Sequence, residues 1–172
     1  MSTLGFKLMR FTFKIRDLFS PRINVLSEVG VKPGDRVLDY GCGPGSYIAP
    51  LASLVGKSGE IIALDIHPAA IKSVEDITFK AKLGNVKTIQ SDCHTGLPDH
   101  SIDIVLLYDT YHDLHNSEAV LCEIHRILKP EGILSFSDHH MREDEIKEKV
   151  ENRNLFKFLR RGDKTYTFSK QV

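Results

Sequence analysis

The most informative chemical feature of this 172-residue sequence is a glycine-rich turn that directly follows an apolar strand pattern. The turn is Gly41-Cys-Gly-Pro-Gly45, and glycine lets a backbone approach a ligand closely because it has no Cβ atom and tolerates positive φ. Asp65 ends the next predicted strand, 20 residues after Gly45. A carboxylate at this position can accept hydrogen bonds from both hydroxyl groups of a ribose. The two features together predict a nucleoside site.

Two observations argue against a nicotinamide dinucleotide as that nucleoside. The dinucleotide fingerprint is G-x-G-x-x-G/A, whereas this turn reads G-x-G-x-G and has Ser46 at the sixth position. A dinucleotide also normally needs a second parallel half of the sheet, and this sequence ends in a predicted β-hairpin. A nicotinamide-dependent oxidoreductase is therefore only an alternative.

Titratable side chains follow two later strands, in the loops Asp109–His115 and Asp138–His140. Both loops are expected at the carboxyl edge of the sheet, where ligands bind in open α/β folds. His112 is the first candidate for a general base because histidine titrates near neutral pH, and Tyr111 and Asp113 are the next. A histidine here would equally serve to shape the pocket without transferring a proton.

Short β-branched strands alternate with longer helical patterns, which is typical of a parallel sheet covered by helices on both faces. The predicted strands are residues 36–40, 60–65, 86–90, 102–108 and 133–137, and the predicted helices are residues 47–55, 68–81, 117–128 and 142–152. Lys129–Gly132 is predicted to be a turn, and residues 155–160 and 165–169 form the terminal hairpin.

The first 20 residues have a different pattern, in which apolar and basic residues are interleaved. These residues are Phe6, Met9, Phe11, Phe13, Ile15, Leu18 and Phe19 with Lys7, Arg10, Lys14 and Arg16. The pattern predicts a basic amphipathic cap over residues 1–22, followed by one domain over residues 23–172. A helix packed on the domain, a substrate lid and a membrane-surface contact all agree with it.

Composition excludes several classes of protein. Lysine and arginine balance aspartate and glutamate at 23 each, so no overall field favours nucleic acid. The three cysteines lack zinc-site spacing, and Cys42 and Cys93 are interpreted as small packing residues. No apolar run approaches the length of a membrane span or a signal peptide. We therefore expect a cytoplasmic protein, with its oligomeric state left open.

Five ordered motifs resemble the class I S-adenosylmethionine-dependent methyltransferases, in particular the small-molecule type 11 and ubiquinone/menaquinone methyltransferase-like branch. The resemblance covers residues 30 to 170 and rests on Val37–Gly45, Ala63–Asp65, Ser91–Cys93, Ser101–Tyr108 and Ile127–Gly132. It implies a seven-stranded Rossmann-like sheet in the order 3-2-1-4-5-7-6, with strand 7 antiparallel. This order agrees with the terminal hairpin.

The resemblance also implies a cofactor, S-adenosylmethionine, with S-adenosylhomocysteine as its product. The implied contacts are Asp39, Gly41, Cys42, Gly43 and Gly45 with the methionine portion, Asp65 and Ile66 with the ribose side, Asp92 and Cys93 with the adenine, and Tyr108 and Asp109 beside the transferring methyl group. Because the sulfonium is already activated, the protein's main tasks are binding and alignment.

The resemblance implies that the protein transfers a methyl group to a small-molecule acceptor. The apolar residues of the N-terminal segment favour a lipophilic or aromatic acceptor. The alternative is a scaffold or activator that binds the cofactor without turnover. Catechol-type methyltransferases hold a metal with acidic side chains after strands 4 and 5. Here the His112-x-x-His115 spacing does not match a helical metal pair, so no metal is expected.

Overall fold

The computed structural model describes residues 3–171, without the side chains of residues 3–4, 6–10 and 14. Seven strands form one sheet in the order β3-β2-β1-β4-β5-β7-β6, as predicted. The strands are β1 (Arg36–Tyr40), β2 (Glu60–Asp65), β3 (Val86–Gln90), β4 (Ile102–Tyr108), β5 (Leu128–Ser137), β6 (Phe156–Arg161) and β7 (Tyr166–Lys170). β7 pairs antiparallel with both β5 and β6, which confirms the terminal hairpin.

Six helices accompany the sheet in the described residues. They are α1 (Thr3–Phe19), α2 (Arg22–Val29), α3 (Ile48–Val55), α4 (Pro68–Ala81), α5 (Ser117–Ile127) and α6 (Glu143–Glu151). The starts of two helices have a chemical explanation. Pro68 is the first residue of α4, where a backbone N–H would have no partner within the helix, so proline costs no hydrogen bond. At the start of α5, the Asn116 side chain accepts a hydrogen bond from the Ala119 N–H. The strand and helix alternation is therefore that of a doubly covered α/β sheet.

Both faces of the sheet are buried, because successive residues of a strand point to opposite sides. Leu38 of β1 belongs to a core shared with α5 and α6, whereas its neighbour Val37 belongs to a core shared with α2, α3 and α4. β4 has six of its seven residues buried and lies at the centre. The two cores fix the central strands, and with them the loops at their carboxyl ends.

The beginning of β5 corrects the sequence analysis. Lys129–Gly132 is not a turn before the strand, since β5 already begins at Leu128. Leu128 pairs with Ile102 and Ile133 pairs with Ile104, so the intervening residues form an irregularity within the ladder. The buried Leu128 side chain explains this start, because it belongs to the core beside α5.

The N-terminal cap is helical, and a second helix, α2, links it to β1. Val25, Leu26 and Val29 of α2 are buried in the core on the α3 side of the sheet. The side chains of Phe6, Lys7, Met9, Arg10 and Lys14, which the sequence analysis includes in the cap, lie outside the described part of the structure. None of the helices in the described residues has the combination of length and hydrophobicity that a membrane span requires.

Candidate active site

A cavity of about 750 Å³ opens at the carboxyl ends of β1, β2 and β4. The turn after β1, the loops after β2, β3 and β4, and one side of α1 form its walls. Ligands of open parallel sheets bind at this edge because the strand order reverses beside β1. Its volume lies within the range of small-molecule sites, about 300–1,000 Å³.

The glycine turn that follows β1 forms the floor of the cavity. Gly41, Gly43 and Gly45 all have positive φ. A Cβ atom on Gly41 would overlap the Thr110 side chain, and one on Gly45 would lie 2.9 Å from Ile77, so these two glycines allow close packing of the protein. Gly43 differs, because nothing lies within 4 Å of the position its Cβ would take. Its missing side chain leaves open space inside the cavity wall.

Asp39, the fourth residue of β1, is a buried carboxyl group in the cavity wall. Its Oδ2 atom has no hydrogen-bond partner in the described protein. Burial, and secondarily the charge of Asp65, raise the pKa of Asp39 from 3.8 to about 7. An unpaired buried carboxylate is costly unless a ligand completes it, so Asp39 favours a ligand with a hydrogen-bond donor or a positive charge.

Asp65 stands at the end of β2 and connects the glycine turn to α4. Its Oδ2 accepts the Gly43 N–H at 2.9 Å, and its Oδ1 accepts the His67 N–H at 2.8 Å. Each carboxylate oxygen has a second lone pair, so the two backbone donors orient the group and each oxygen can still accept a further hydrogen bond. Asp65 is thus held in one position on the cavity wall.

The charge of the cavity distinguishes between the two cofactors considered above, a nicotinamide dinucleotide and the cationic S-adenosylmethionine. Its lining contains five carboxylates and one arginine, together with two histidines: Asp39, Asp65, Asp92, Asp109 and Asp113; Arg16; His67 and His115. The N–H groups of Gly41 and Cys42 already donate to the Leu64 carbonyl, and that of Gly43 to Asp65. The turn therefore does not present its amides to a pyrophosphate, and the surroundings fit a cationic nucleoside better than a dinucleotide.

The loop after β3 supplies Asp92 and Cys93 to the wall and is fastened to α5. Thr95 donates its backbone N–H and its hydroxyl to Glu123, at 2.8 and 2.6 Å. Arg126 pairs with the same carboxylate at 2.8 Å, and this hydrogen bond together with those from Thr95 lowers the pKa of Glu123 to about 2. The ionised Glu123 thus anchors the Asp92 segment at neutral pH.

Aromatic side chains close the methionine side of the predicted site. Tyr108 is buried at the end of β4, and its ring lies 5.2 Å from that of Tyr47. The Tyr108 hydroxyl shares a 2.7 Å hydrogen bond with Ser135, and burial raises the pKa of this hydroxyl well above its usual value. Phe13 and Arg16 of α1 complete this side of the wall. Tyr108 is therefore a neutral wall residue.

The three candidate bases lie on one short helical turn, Tyr111–Asp113, and point in different directions. Tyr111 is buried with its ring against Phe136 and does not line the cavity, so the structure disfavours it as a base. Asp113 is exposed but reaches the cavity wall. His112 does not line the cavity either, but its side chain is partly exposed and its Nε2 atom lies 3.6 Å from the carboxylate of Asp113.

His112 is held by a buried carboxylate. The Asp138 side chain is fully buried and accepts the His112 Nδ1–H at 2.8 Å and the His112 backbone N–H at 3.1 Å. This contact fixes the tautomer in which Nδ1 carries the proton and Nε2 is free to accept one. The arrangement is that of a base with its orienting group.

A second histidine–carboxylate pair lies beside the first. His139 donates its Nδ1–H to Asp109 at 2.8 Å, which raises the pKa of His139. Asp109, Asp138 and His139 bring metal-ligand atoms within 4.8 Å of one another. However, Asp138 already accepts the two His112 donors and the His140 N–H. Hydrogen bonding within the protein thus accounts for this cluster.

The structure brings nearly the whole predicted cofactor set to one cavity. The predicted residues in its wall are Asp39, Gly41, Cys42, Gly43, Asp65, Ile66, Asp92, Cys93, Tyr108 and Asp109. Gly45 lies behind the wall, where it packs against α4. Cys42 is buried, and burial raises the pKa of its thiol, as suits a packing residue. Ser46, Thr110 and Asn116 also lie in the wall, and no sequence motif marks them as binding residues.

Comparison with known proteins agrees with this geometry. Residues 31–167 match the family model described as a methyltransferase domain. In backbone structure, the chain is similar to a SAM-dependent methyltransferase from Aquifex aeolicus, with a TM-score of 0.77 and 24% identity over 92% of this chain and 97% of that one. At this identity, the structural match supports the fold alone.

Two curated relatives are similar in sequence. One is the "ubiquinone/menaquinone biosynthesis C-methyltransferase" of Teredinibacter turnerae, 35% identical over 63% of this chain and 45% of the relative. The other is the "demethylmenaquinone methyltransferase" of Geobacillus kaustophilus, 34% identical over 65% of this chain and 48% of the relative. The chain thus spans about half the length of these two relatives.

Proposed function

This chain belongs to the methyltransferase-domain family, in its class I S-adenosylmethionine-dependent branch, and we propose that it transfers a methyl group to an aromatic, quinol-type acceptor. The family's cofactor is S-adenosylmethionine. The observation that carries the proposal is the acidic, glycine-floored cavity at the carboxyl edge of the sheet.

The residues present fit this cofactor. Asp39 offers a buried, unpaired carboxylate oxygen for a cationic group of the methionine portion, and the open space at Gly43 admits close approach of the ligand. Asp65 and its neighbour Ile66 face the ribose side, where Asp65 has lone pairs left for the ribose hydroxyls, and the Asp92 segment flanks the adenine side. The bound cofactor supplies an electrophilic methyl group, and the cavity walls align the acceptor with it.

The acceptor class rests on two supports. Both curated relatives are named as methyltransferases of quinone biosynthesis or of a quinone, and one name specifies methylation at carbon. The reduced form of such a quinone, the quinol, has an aromatic ring. The cavity wall also contains apolar and aromatic side chains, among them Phe13, Tyr47 and Leu114. Transfer to a ring carbon would break the S–CH₃ bond of the cofactor, leave S-adenosylhomocysteine, and replace a C–H bond by a C–CH₃ bond. The ring hydroxyl that is deprotonated first would regain a proton when the ring carbon loses its hydrogen, so one proton is released overall. Removing the proton of a ring hydroxyl makes the neighbouring carbon nucleophilic.

We assign that proton transfer to His112, with Asp138 as its positioning residue. The Nδ1–H of His112 is committed to Asp138, so Nε2 is the atom that accepts a proton. His112 does not itself line the cavity, but its Nε2 atom lies 3.6 Å from the carboxylate of Asp113, which does, so the pair stands beside the wall of the site. Asp138 already accepts hydrogen bonds from His112 and His140, and Asp109 accepts one from His139. We therefore propose transfer without a metal ion.

The assay uses methyl-labelled S-adenosylmethionine and a reduced demethylnaphthoquinone, with the oxidised quinone as a comparison. We expect labelled product from the quinol alone, because only the quinol carries the hydroxyl that activates the ring. His112→Gln should lower kcat by about 100-fold, the lower end of the range for general-base catalysis, with unchanged cofactor affinity. Asp138→Asn should lower kcat less.

His94→Gln is the matched control, since His94 is exposed and outside the cavity wall. A higher pH should partly restore the rate of His112→Gln, because the acceptor hydroxyl then ionises without a base. Equal rates for the wild-type protein and His112→Gln would rule out His112 as the base. Cofactor binding without transfer to quinols or to a wider panel of small-molecule acceptors would instead support the scaffold alternative.

A further inference from the structure

We propose that α1 docks this protein on the surface of an anionic phospholipid bilayer. Phe11, Ile15, Leu18 and Phe19 form the outer stripe of this helix, and all four side chains are exposed. The spacing of i, i+4, i+7 and i+8 brings them to one side of an α-helix. Leu18 and Phe19 are 77% and 83% exposed, which is costly in water for side chains of this size.

The exposed apolar side chains are concentrated at this end of the chain. Of the eight large hydrophobic side chains that are exposed in the described residues, five lie between residues 11 and 23. The other three, Ile66, Phe79 and Leu159, lie on separate elements. Single exposed apolar residues are ordinary, whereas a contiguous group of them indicates an interaction surface.

The positive charge of α1 favours an anionic partner. α1 contains four basic residues, Lys7, Arg10, Lys14 and Arg16, and a single acidic one, Asp17. Asp17 is itself paired with Arg16 at 2.9 Å and with Arg22 at 3.2 Å. The whole chain is balanced at 23 basic and 23 acidic residues, so this excess is local. A basic helix with an exposed apolar stripe fits the interface of an anionic bilayer.

The opposite side of the same helix faces the cavity. Phe13 and Arg16 line it, and Arg16 also reaches Ser46 beside the glycine turn, with 3.4 Å between Nη2 and Oγ. A docked α1 would therefore lie between the bilayer and the site. This last point rests on the proposed function: a quinol dissolved in the bilayer would reach the cavity along the helix. The docking itself requires neither cofactor nor acceptor.

Vesicle flotation of the full chain tests the docking directly. The vesicles contain phosphatidylcholine alone or phosphatidylcholine with phosphatidylglycerol. We expect the wild-type protein to float with the anionic vesicles and to do so less at high salt, because salt screens the basic residues. The double variant Leu18→Ser/Phe19→Ser should bind the anionic vesicles about tenfold more weakly, since it removes half of the outer stripe.

Phe79→Ser is the matched control, because it removes an equally exposed apolar side chain from α4 and should leave flotation unchanged. Circular dichroism and cofactor titration show whether each variant retains its fold. Equal flotation of the wild-type protein and the double variant, or no flotation of the wild-type protein, would overturn the proposal. A wild-type dimer that the double variant dissociates, seen by sedimentation velocity without flotation, would assign the stripe to a second copy and also overturn it. None of these outcomes depends on methyl transfer, so the proposed function is tested separately.

Discussion

Replacing Asp39 with asparagine will weaken S-adenosylmethionine binding about 1,000-fold at pH 7.5 and will at the same time stabilise the free protein. The loss of affinity follows from removing a buried carboxylate opposite a cationic ligand, which typically costs about 3–5 kcal/mol. The gain in stability follows from burial, because Asp39 is enclosed and its Oδ2 atom has no hydrogen-bond partner among the residues that the structure describes. Isothermal titration and thermal unfolding measure the two effects.

The effect on stability has a definite pH dependence. The pKa of Asp39 is raised from 3.8 to about 7 in the folded protein, so the folded state binds this proton more tightly than the unfolded state. The stabilising contribution is therefore fully present below about pH 4 and is lost as the pH rises through about 7. Asp39→Asn should raise the Tm by about 5 °C at pH 8 and by less at pH 5.5.

Cofactor binding should show the opposite trend with pH. The ionised carboxylate is the form that attracts a cation, so the wild-type affinity should fall roughly tenfold between pH 7.5 and pH 6. This range stays below the pKa of an α-amino group, about 7.7–8.0, so the ligand keeps its charge. Asp39→Asn should lack this dependence. An asparagine variant that binds the cofactor normally, or that is less stable at pH 8, would show that Asp39 has a structural role only.

Gly43→Ala should weaken cofactor binding at least about 300-fold, equivalent to about 3.4 kcal/mol. The added methyl group would occupy the open space in the cavity floor that we assign to the ligand. Backbone strain from an alanine at the φ of +50° should cost the protein only about 1–2 kcal/mol, so the variant should fold. Titration and unfolding again separate the two effects.

Gly96→Ala is the matched control for this substitution. Gly96 also has a positive φ, of +67°, and also has open space where a Cβ atom would stand, but it lies outside the cavity wall. The two variants should therefore lose similar stability, and only Gly43→Ala should lose affinity. Similar cofactor affinities in the two variants would mean that the ligand does not approach Gly43.

The sheet and its order could be predicted because each strand carries its own signal. Apolar runs such as Ile102–Tyr108, and stops such as Gly56, define the alternation of elements without knowledge of tertiary contacts. The resemblance then supplied the order of the strands. The start of β5 at Leu128 could not be predicted in this way, because it depends on the pairing of Leu128 with Ile102 across the sheet.

Most of the cavity-wall residues could be predicted for the same reason, since they lie directly after the ends of strands. The base candidates could not be ranked by sequence, because adjacent residues on a single helical turn point about 120° apart. The turn directs Tyr111 towards Phe136 and His112 towards Asp138. Only the folded chain shows which of the two side chains is buried in the core and which contacts a carboxylate. The division of α1 into a cavity side and an outer stripe is likewise a tertiary property, because apolar residues occur on both of its sides.

Calorimetric titration of the wild-type protein with S-adenosylmethionine, S-adenosylhomocysteine and NAD tests the central claim most directly. We expect one-site binding of the two sulfur nucleosides and no binding of NAD, because the cavity is acidic and the turn amides are engaged within the protein. Binding of NAD by folded protein that shows no heat with either sulfur nucleoside would contradict the account.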